Sequence, residues 1–110
     1  MILEIRTYRL KPGTREEFVR VMRQESIPLL AAHGIAVVDC GASLFDEDGF
    51  EEAYLMRSFA SLEQRDAQEE AFYSSPQWRQ GPREAILSRI ESYHTVVMEA
   101  SDAAVAALRR

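Results

Sequence analysis

An acid, a guanidinium and a phenol stand at every second position near the start of this 110-residue chain, as Glu4, Arg6 and Tyr8. Alternate residues of a strand share a face, which spaces these three about 6.6–7 Å apart in a row. Arg6 in such a row can bind a carboxylate or an enolate, and Tyr8 can donate a proton or a hydrogen bond. The same row also has a purely structural reading, in which Glu4 and Arg6 pair with groups across a subunit interface and fix its register. Leu3 and Ile5 give the opposite face an apolar character.

Other reactive side chains are scattered. His33 precedes Gly34 at a helix end, where a cation interacts well with the helix dipole; the chemical alternative is a general base at a cleft mouth. His94 lies mid-strand and is a second acid–base candidate. Cys40 is isolated and reads as a small buried hydrophobe. With histidines at 33 and 94 and the cysteine at 40, no zinc spacing forms, and no metal or cofactor is implied. The acidic run Asp46, Glu47, Asp48, Glu51, Glu52 invites a calcium reading. With Gly49 in the sixth loop position, however, the first and twelfth would be Leu44 and Leu55, so the EF-hand pattern fails and a solvated hairpin tip is the better account. Phe72, Tyr73 and Trp78 either cover the sheet or line an aromatic pocket for a flat ligand. Arg65 points into that cleft or pairs with Glu69 four residues on. The glycines form neither a dinucleotide fingerprint nor a phosphate loop.

The elements that must position these residues follow from periodicity and punctuation. Residues 2–10 alternate as a strand, and Lys11-Pro12-Gly13 ends it. Thr14 with Glu17 fits a capping box for a helix from about Arg15, carrying Phe18, Val21, Met22 and Leu29 at three- and four-residue steps. Pro28 predicts a kink or break near Glu25–Ile27, and Gly34 a helix end. Ile35–Phe45 and Glu51–Phe59 read as strands joined by the turn Asp46-Glu47-Asp48-Gly49, with a bulge or bend at Gly41. Ser61 with Gln64 caps a second helix to about Phe72, and Ser75-Pro76 opens a short turn carrying Trp78. Gly81-Pro82 breaks the chain again, and Arg83–Arg89 supplies one or two further turns. Ile90–Glu99 is the last strand. Residues 100–110 form an alanine-rich tail, too short for a stable helix unless docked. The expected organisation is one domain over residues 1–99, followed by that tail.

The order β-α-β-β-α-β is that of a ferredoxin-like α+β fold, with four antiparallel strands and helices on one face. The second face needs cover, and Tyr8, Tyr54, Met56 and Tyr93 are its expected tenants. An apolar patch of this kind predicts a partner, most simply a second copy of the chain. The net charge of −5 argues against nucleic acid and anionic membranes as partners. No apolar run approaches the ~20 residues of a membrane span, no leader sequence is evident, and a lone cysteine suits a reducing cytoplasm.

Ile2–Gly13, with its run Ile2-Leu3-Glu4-Ile5-Arg6-Thr7-Tyr8-Arg9-Leu10-Lys11-Pro12-Gly13, resembles the opening signature of the NIPSNAP family. Pro28 and Gly34, Ser61-Leu62 with Arg65, Pro76 with Trp78, and Ile90-Glu91-Ser92 also resemble its pattern, over roughly residues 1–99. An aromatic frequent on that family's third strand is absent around Met56-Arg57. The resemblance implies a dimeric α+β barrel, two ferredoxin-like sheets packed face to face, in a superfamily that includes cofactor-independent monooxygenases, haem-degrading enzymes and polyketide cyclases. Two functions follow as expectations. One is a homodimer binding a small hydrophobic or aromatic acid between sheet and helices, with Tyr54, Met56, Arg65, Phe72 and Trp78 as ligand contacts. The other is a cofactor-independent monooxygenase or cyclase acting on polyketide-like or phenolic substrates, with Arg6, Tyr8, His33 and His94 as acid–base groups.

Overall fold

The computed structural model describes residues 1–109. Its elements run β1 (Ile2–Leu10), α1 (Arg15–Val21), α2 (Ile27–Ala32), β2 (Ala36–Ala42), β3 (Glu51–Phe59), α3 (Leu62–Ser74), α4 (Pro76–Arg79), α5 (Arg83–Leu87), β4 (Ile90–Glu99) and α6 (Asp102–Leu108). The strands pair antiparallel in the order β2-β3-β1-β4, which is the ferredoxin-like sheet.

The break expected before Pro28 takes the form of a π-turn, Met22–Ser26, that joins α1 to α2. Proline cannot donate a backbone hydrogen bond, and its ring crowds the carbonyl one turn back; the wider turn makes room for it. Gly34, at φ 77°, then ends the helix. Ser61 and Ser75 cap as their spacing predicts, accepting from the N–H groups of Gln64 and Trp78. Thr14 does not cap. Its backbone is already helical, its hydroxyl donates to the Lys11 carbonyl at 2.6 Å, and Glu17 is engaged by Arg20 instead. The Arg15 N–H is satisfied by Glu51 Oε1 at 3.2 Å, a partner from β3 that no local motif announces.

β2 stops at Ala42, short of Phe45, because the Ser43 hydroxyl turns the chain by bonding the Phe45 carbonyl at 2.7 Å. The bulge falls between Val37 and Asp39, not at Gly41. Gly41 serves close packing: a Cβ there would lie 3.2 Å from both Arg23 Nη2 and the Tyr54 hydroxyl. The acidic turn takes the positive φ expected of it, at Asp48 and Gly49. Its tip is not merely solvated, since Asp48 pairs with Arg9 at 2.9 Å and Asp46 pairs with Arg15.

The main core lies between the sheet and the helices. Leu10, Leu55 and Phe59 of the sheet meet Phe18, Val21, Leu30 and Phe72 of the helices there, all nearly inaccessible to water. A smaller cluster of Leu3, Val38 and Val105 sits on the other side of the sheet. The tail therefore does dock: Ser101 caps α6, and Val105 is 2% exposed against Leu3 and Val38. No helix among the described residues is long and apolar enough to cross a membrane.

The facing of β1 is opposite to the expectation. The partners in register put Glu4 beside Arg57 and Arg6 beside Thr95, and Tyr8 packs in the helix-side core. Leu3 and Ile5 belong to the other face. Of the four residues expected there, Tyr54 and Met56 occupy the open face. Tyr8 and Tyr93 stand opposite one another on the helix side. The reversal has a physical cause, described next: the charges on the helix-side face meet opposite charges within the same chain.

Candidate functional site

β1, β3 and α3 bring a set of charges together. Glu4, wholly buried, accepts from Arg57 Nε at 2.9 Å and from Arg65 Nε at 2.7 Å, and forms a second, very short contact with Arg57 Nη2. Glu69, one turn after Arg65, completes the set: its Oε1 lies 3.4 Å from Arg57 Nη2 and 3.8 Å from Arg6 Nη2. The Tyr73 hydroxyl accepts from Arg57 Nη1 at 2.8 Å and from Arg6 Nη1 at 3.2 Å. Thr95 takes the Arg6 Nε–H at 3.1 Å. The expected pairing of Glu4 and Arg6 with groups on a second subunit is thus replaced by partners within the chain. A buried carboxylate with two guanidinium partners meets the condition under which an interior charge is tolerated.

The two carboxyls have opposite tendencies. Burial alone would raise Glu4, but hydrogen bonding with Glu69 and the Arg57 charge outweigh it and hold it well below the usual carboxylate range. Glu69 is pushed up to about 7, first by burial and then by the neighbouring Glu4. Two acids in one site behave this way because one proton serves both. Burial also pushes the Tyr8 phenol upward, so it stays protonated.

Beside this network lies a cavity of about 450 Å³, within the range of small-molecule pockets. Arg6, Tyr73 and Glu69 form its polar side. Leu30, Leu55, Phe72, Trp78 and Ile86 form its apolar wall. The wall is held by ring contacts: Trp78 lies 5.3 Å from Phe72 and 5.4 Å from Tyr73. Tyr93, mostly exposed, stands near the opening with the Arg6 guanidinium 5.1 Å from its ring centre. The Ser26 hydroxyl also lines the cavity, buried and without a hydrogen-bond partner among the described residues.

Of the residues singled out from the sequence, the structure gathers Arg6, Tyr8, Phe72 and Trp78 around this cavity. Arg65 joins through Glu4, and its helical pairing with Glu69 is also present at 3.2 Å. His33 lies elsewhere; its Nδ1 is 3.0 Å from the Leu29 carbonyl at the end of α2, which is the helix-end role. His94 is exposed and opposite Thr7, on the sheet face away from the cavity, together with Tyr54 and Met56. Cys40 is buried in the main core, which raises its thiol. Arg57 and Ser26 were not foreseen, and Glu69 was foreseen only as the helical partner of Arg65. A carboxylate inside an otherwise core-like strand was the one available signal, since Glu4 demands a buried cation from somewhere.

The NIPSNAP family model matches residues 3–102, and the chain belongs to that family. Among solved structures it is similar to an uncharacterised NIPSNAP domain protein from Burkholderia xenovorans, with a TM-score of 0.79 at 20% identity over 93% of this chain and 96% of that one. A protein from Agrobacterium tumefaciens gives 0.76 at 26% identity, over 93% and 95% of the two chains. A Nitrosomonas europaea protein, named as a candidate antibiotic biosynthesis monooxygenase, shares the fold with a TM-score of 0.64 at 19% identity, over 91% and 98%. A comparison with curated proteins finds no match.

Proposed function

We propose that this chain is a homodimeric binding protein for a small apolar or aromatic acid, held in the cavity between sheet and helices. The observation that carries this reading is the pairing, in one cavity, of an aromatic and aliphatic wall with the Arg6 guanidinium. Among the described residues only two Arg6 N–H groups are spent in hydrogen bonds, out of the five a guanidinium carries. The remainder can receive a carboxylate while the body of the acid packs on Phe72 and Trp78. Support for the second copy comes from the open sheet face, where Val96 and Met98 are 41% and 38% exposed beside Ile5 and Met56.

Trp78 is the chain's one tryptophan, so its fluorescence reports the cavity directly. Titration with trans-cinnamate should quench or shift it, and Arg6→Gln should weaken binding by ~10-fold or more, the loss of one charge-assisted contact. Unchanged emission with cinnamate, phenylacetate and benzoate alike would remove the reading.

A second reading, a cofactor-independent monooxygenase or cyclase acting on phenolic substrates, draws on the name of the Nitrosomonas relative and on the acid–base groups at the cavity. Oxygen uptake with an anthrone-type substrate tests it. His94→Ala should leave any such activity intact, because its side chain lies on the other face of the sheet.

A further inference from the structure

Glu69 stands apart from the other charges of the network. Glu4 accepts from two guanidinium groups and shares a proton with Glu69, whereas no guanidinium N–H among the described residues is donated to Glu69, whose Oε2 is fully buried. Arg65 Nε lies 3.2 Å from that oxygen, but its N–H is donated to Glu4. The Glu69 carboxyl lines the cavity, and Arg6 Nη2 is 3.8 Å from its other oxygen. One small site therefore holds a carboxyl whose Oε1 takes no guanidinium hydrogen bond and, 3.8 Å from it, a cation with unspent donors. That pair is what removal of a proton next to a carbonyl requires: a base for the proton and a positive charge for the oxygen on which the negative charge collects.

We infer that Glu69 is a proton-transfer residue of this cavity, acting on the acidic C–H beside the carbonyl of an aromatic keto acid whose developing enolate is held by Arg6. This rests on the binding reading given above. In the step, the Glu69 carboxylate takes the proton and becomes a carboxylic acid. The C–H electron pair becomes the carbon–carbon double bond of the enolate, and the carbonyl pair moves onto oxygen beside the guanidinium. Return of a proton to the same carbon restores the ketone, so the cycle needs neither oxidant nor reductant. The groups that face Glu69 are Glu4 and Arg6 of β1, Arg57 of β3, and Arg65 and Tyr73 of its own helix, with Arg83 of α5 lining the same cavity. Their balance lets one carboxyl hold or release a proton near neutral pH, where a general base is most effective.

Phenylpyruvate in D2O is the probe, with loss of its benzylic proton signals followed by NMR and binding followed by Trp78 fluorescence. The whole chain should speed exchange ~100-fold over buffer. Glu69→Gln should bring the rate back to within a fewfold of buffer while still quenching Trp78. Glu69→Asp, which keeps the carboxyl but withdraws it, should lose at least ~10-fold and covers the case in which the glutamine variant does not fold. Binding without faster exchange, or equal exchange by wild type and both variants, overturns the proton-transfer role and leaves the binding reading standing. No binding of phenylpyruvate overturns the role at its premise, and unchanged Trp78 emission with the simple aromatic acids as well would take the binding reading with it.

Discussion

The two faces of the sheet each break the usual division of labour in part. In an antiparallel sheet with one covered side, apolar residues normally face the cover and polar ones face water. Here the covered side carries Glu4, Arg6 and Arg57 among the core residues Leu10, Leu55 and Phe59, and the open side carries Leu3, Ile5, Met56, Val96 and Met98. The helix-side charges are tolerated because each has a partner in place, and the core around them supplies the cohesion. The open side has no such compensation; α6 shields Leu3 and Val38 but leaves Val96 and Met98 accessible. Polarity under cover points to a site, and apolarity without cover points to a partner.

The sharpest way to break this contrast is to remove one member of the buried network. Arg57→Leu leaves Glu4, wholly inaccessible to solvent, with one hydrogen-bonding guanidinium, Arg65, and with Arg6 Nη2 at 4.0 Å, and should cost ~3–5 kcal/mol in urea unfolding. A cost no larger than that of a surface change would mean the charges are not held as described. Replacing Glu4 and Arg57 together by leucines should cost far less than Arg57→Leu alone, since neither charge is then stranded.

A smaller effect comes from pH. Folded Glu69 keeps its proton up to about 7, against 4.5 for an ordinary glutamate, so between those values the folded state binds more protons than the unfolded one. Its contribution is therefore complete below pH 4.5 and is lost as pH rises through about 7, a decline of at most ~3 kcal/mol. Glu4 has the opposite sign: its depressed value lends stability above the ordinary range that is lost as pH falls below it. Denaturation midpoints at pH 5, 6, 7 and 8 should fall in wild type and stay level in Glu69→Gln. The affinity for an aromatic acid should weaken over the same interval, because an ionised Glu69 repels it.

On the other face, Val105→Ala removes two methyl groups from the 2%-exposed contact with Leu3 and Val38 and should cost ~1–2 kcal/mol in thermal unfolding. Met98→Glu should change chain stability least, within ~0.5 kcal/mol, because Met98 is 38% exposed. It should nonetheless convert the proposed homodimer to monomers in sedimentation velocity. A dimer that survives Met98→Glu combined with Val96→Glu would move the interface elsewhere.

The fold was readable because its signals are local. Residues 51–59 and 90–99 form strands as their patterns predict, Ser61 and Ser75 cap, and Pro28 announces a disturbance that the structure resolves as a π-turn. The facing of β1 was misread because Glu4 and Arg6 look like solvent-side residues until Arg57, Arg65 and Glu69 are brought to them. Those residues are more than fifty positions away and share no period with the strand. The Thr14–Glu17 pair failed because both members are engaged elsewhere: the Thr14 N–H and hydroxyl both donate to the Lys11 carbonyl, and Glu17 is taken by Arg20.

The π-turn has one more consequence. A helix with such a turn holds one residue more than a regular helix of the same path. Deleting a single residue from 22–26 would leave four residues at about 100° each to sweep the angle that five now share, so Ile27–Ala32 would keep their facing and Leu30 would stay in the interior. The ring of Pro28 would then meet the backbone it now avoids. That extra residue is local slack, which seats a proline without turning the rest of the rod.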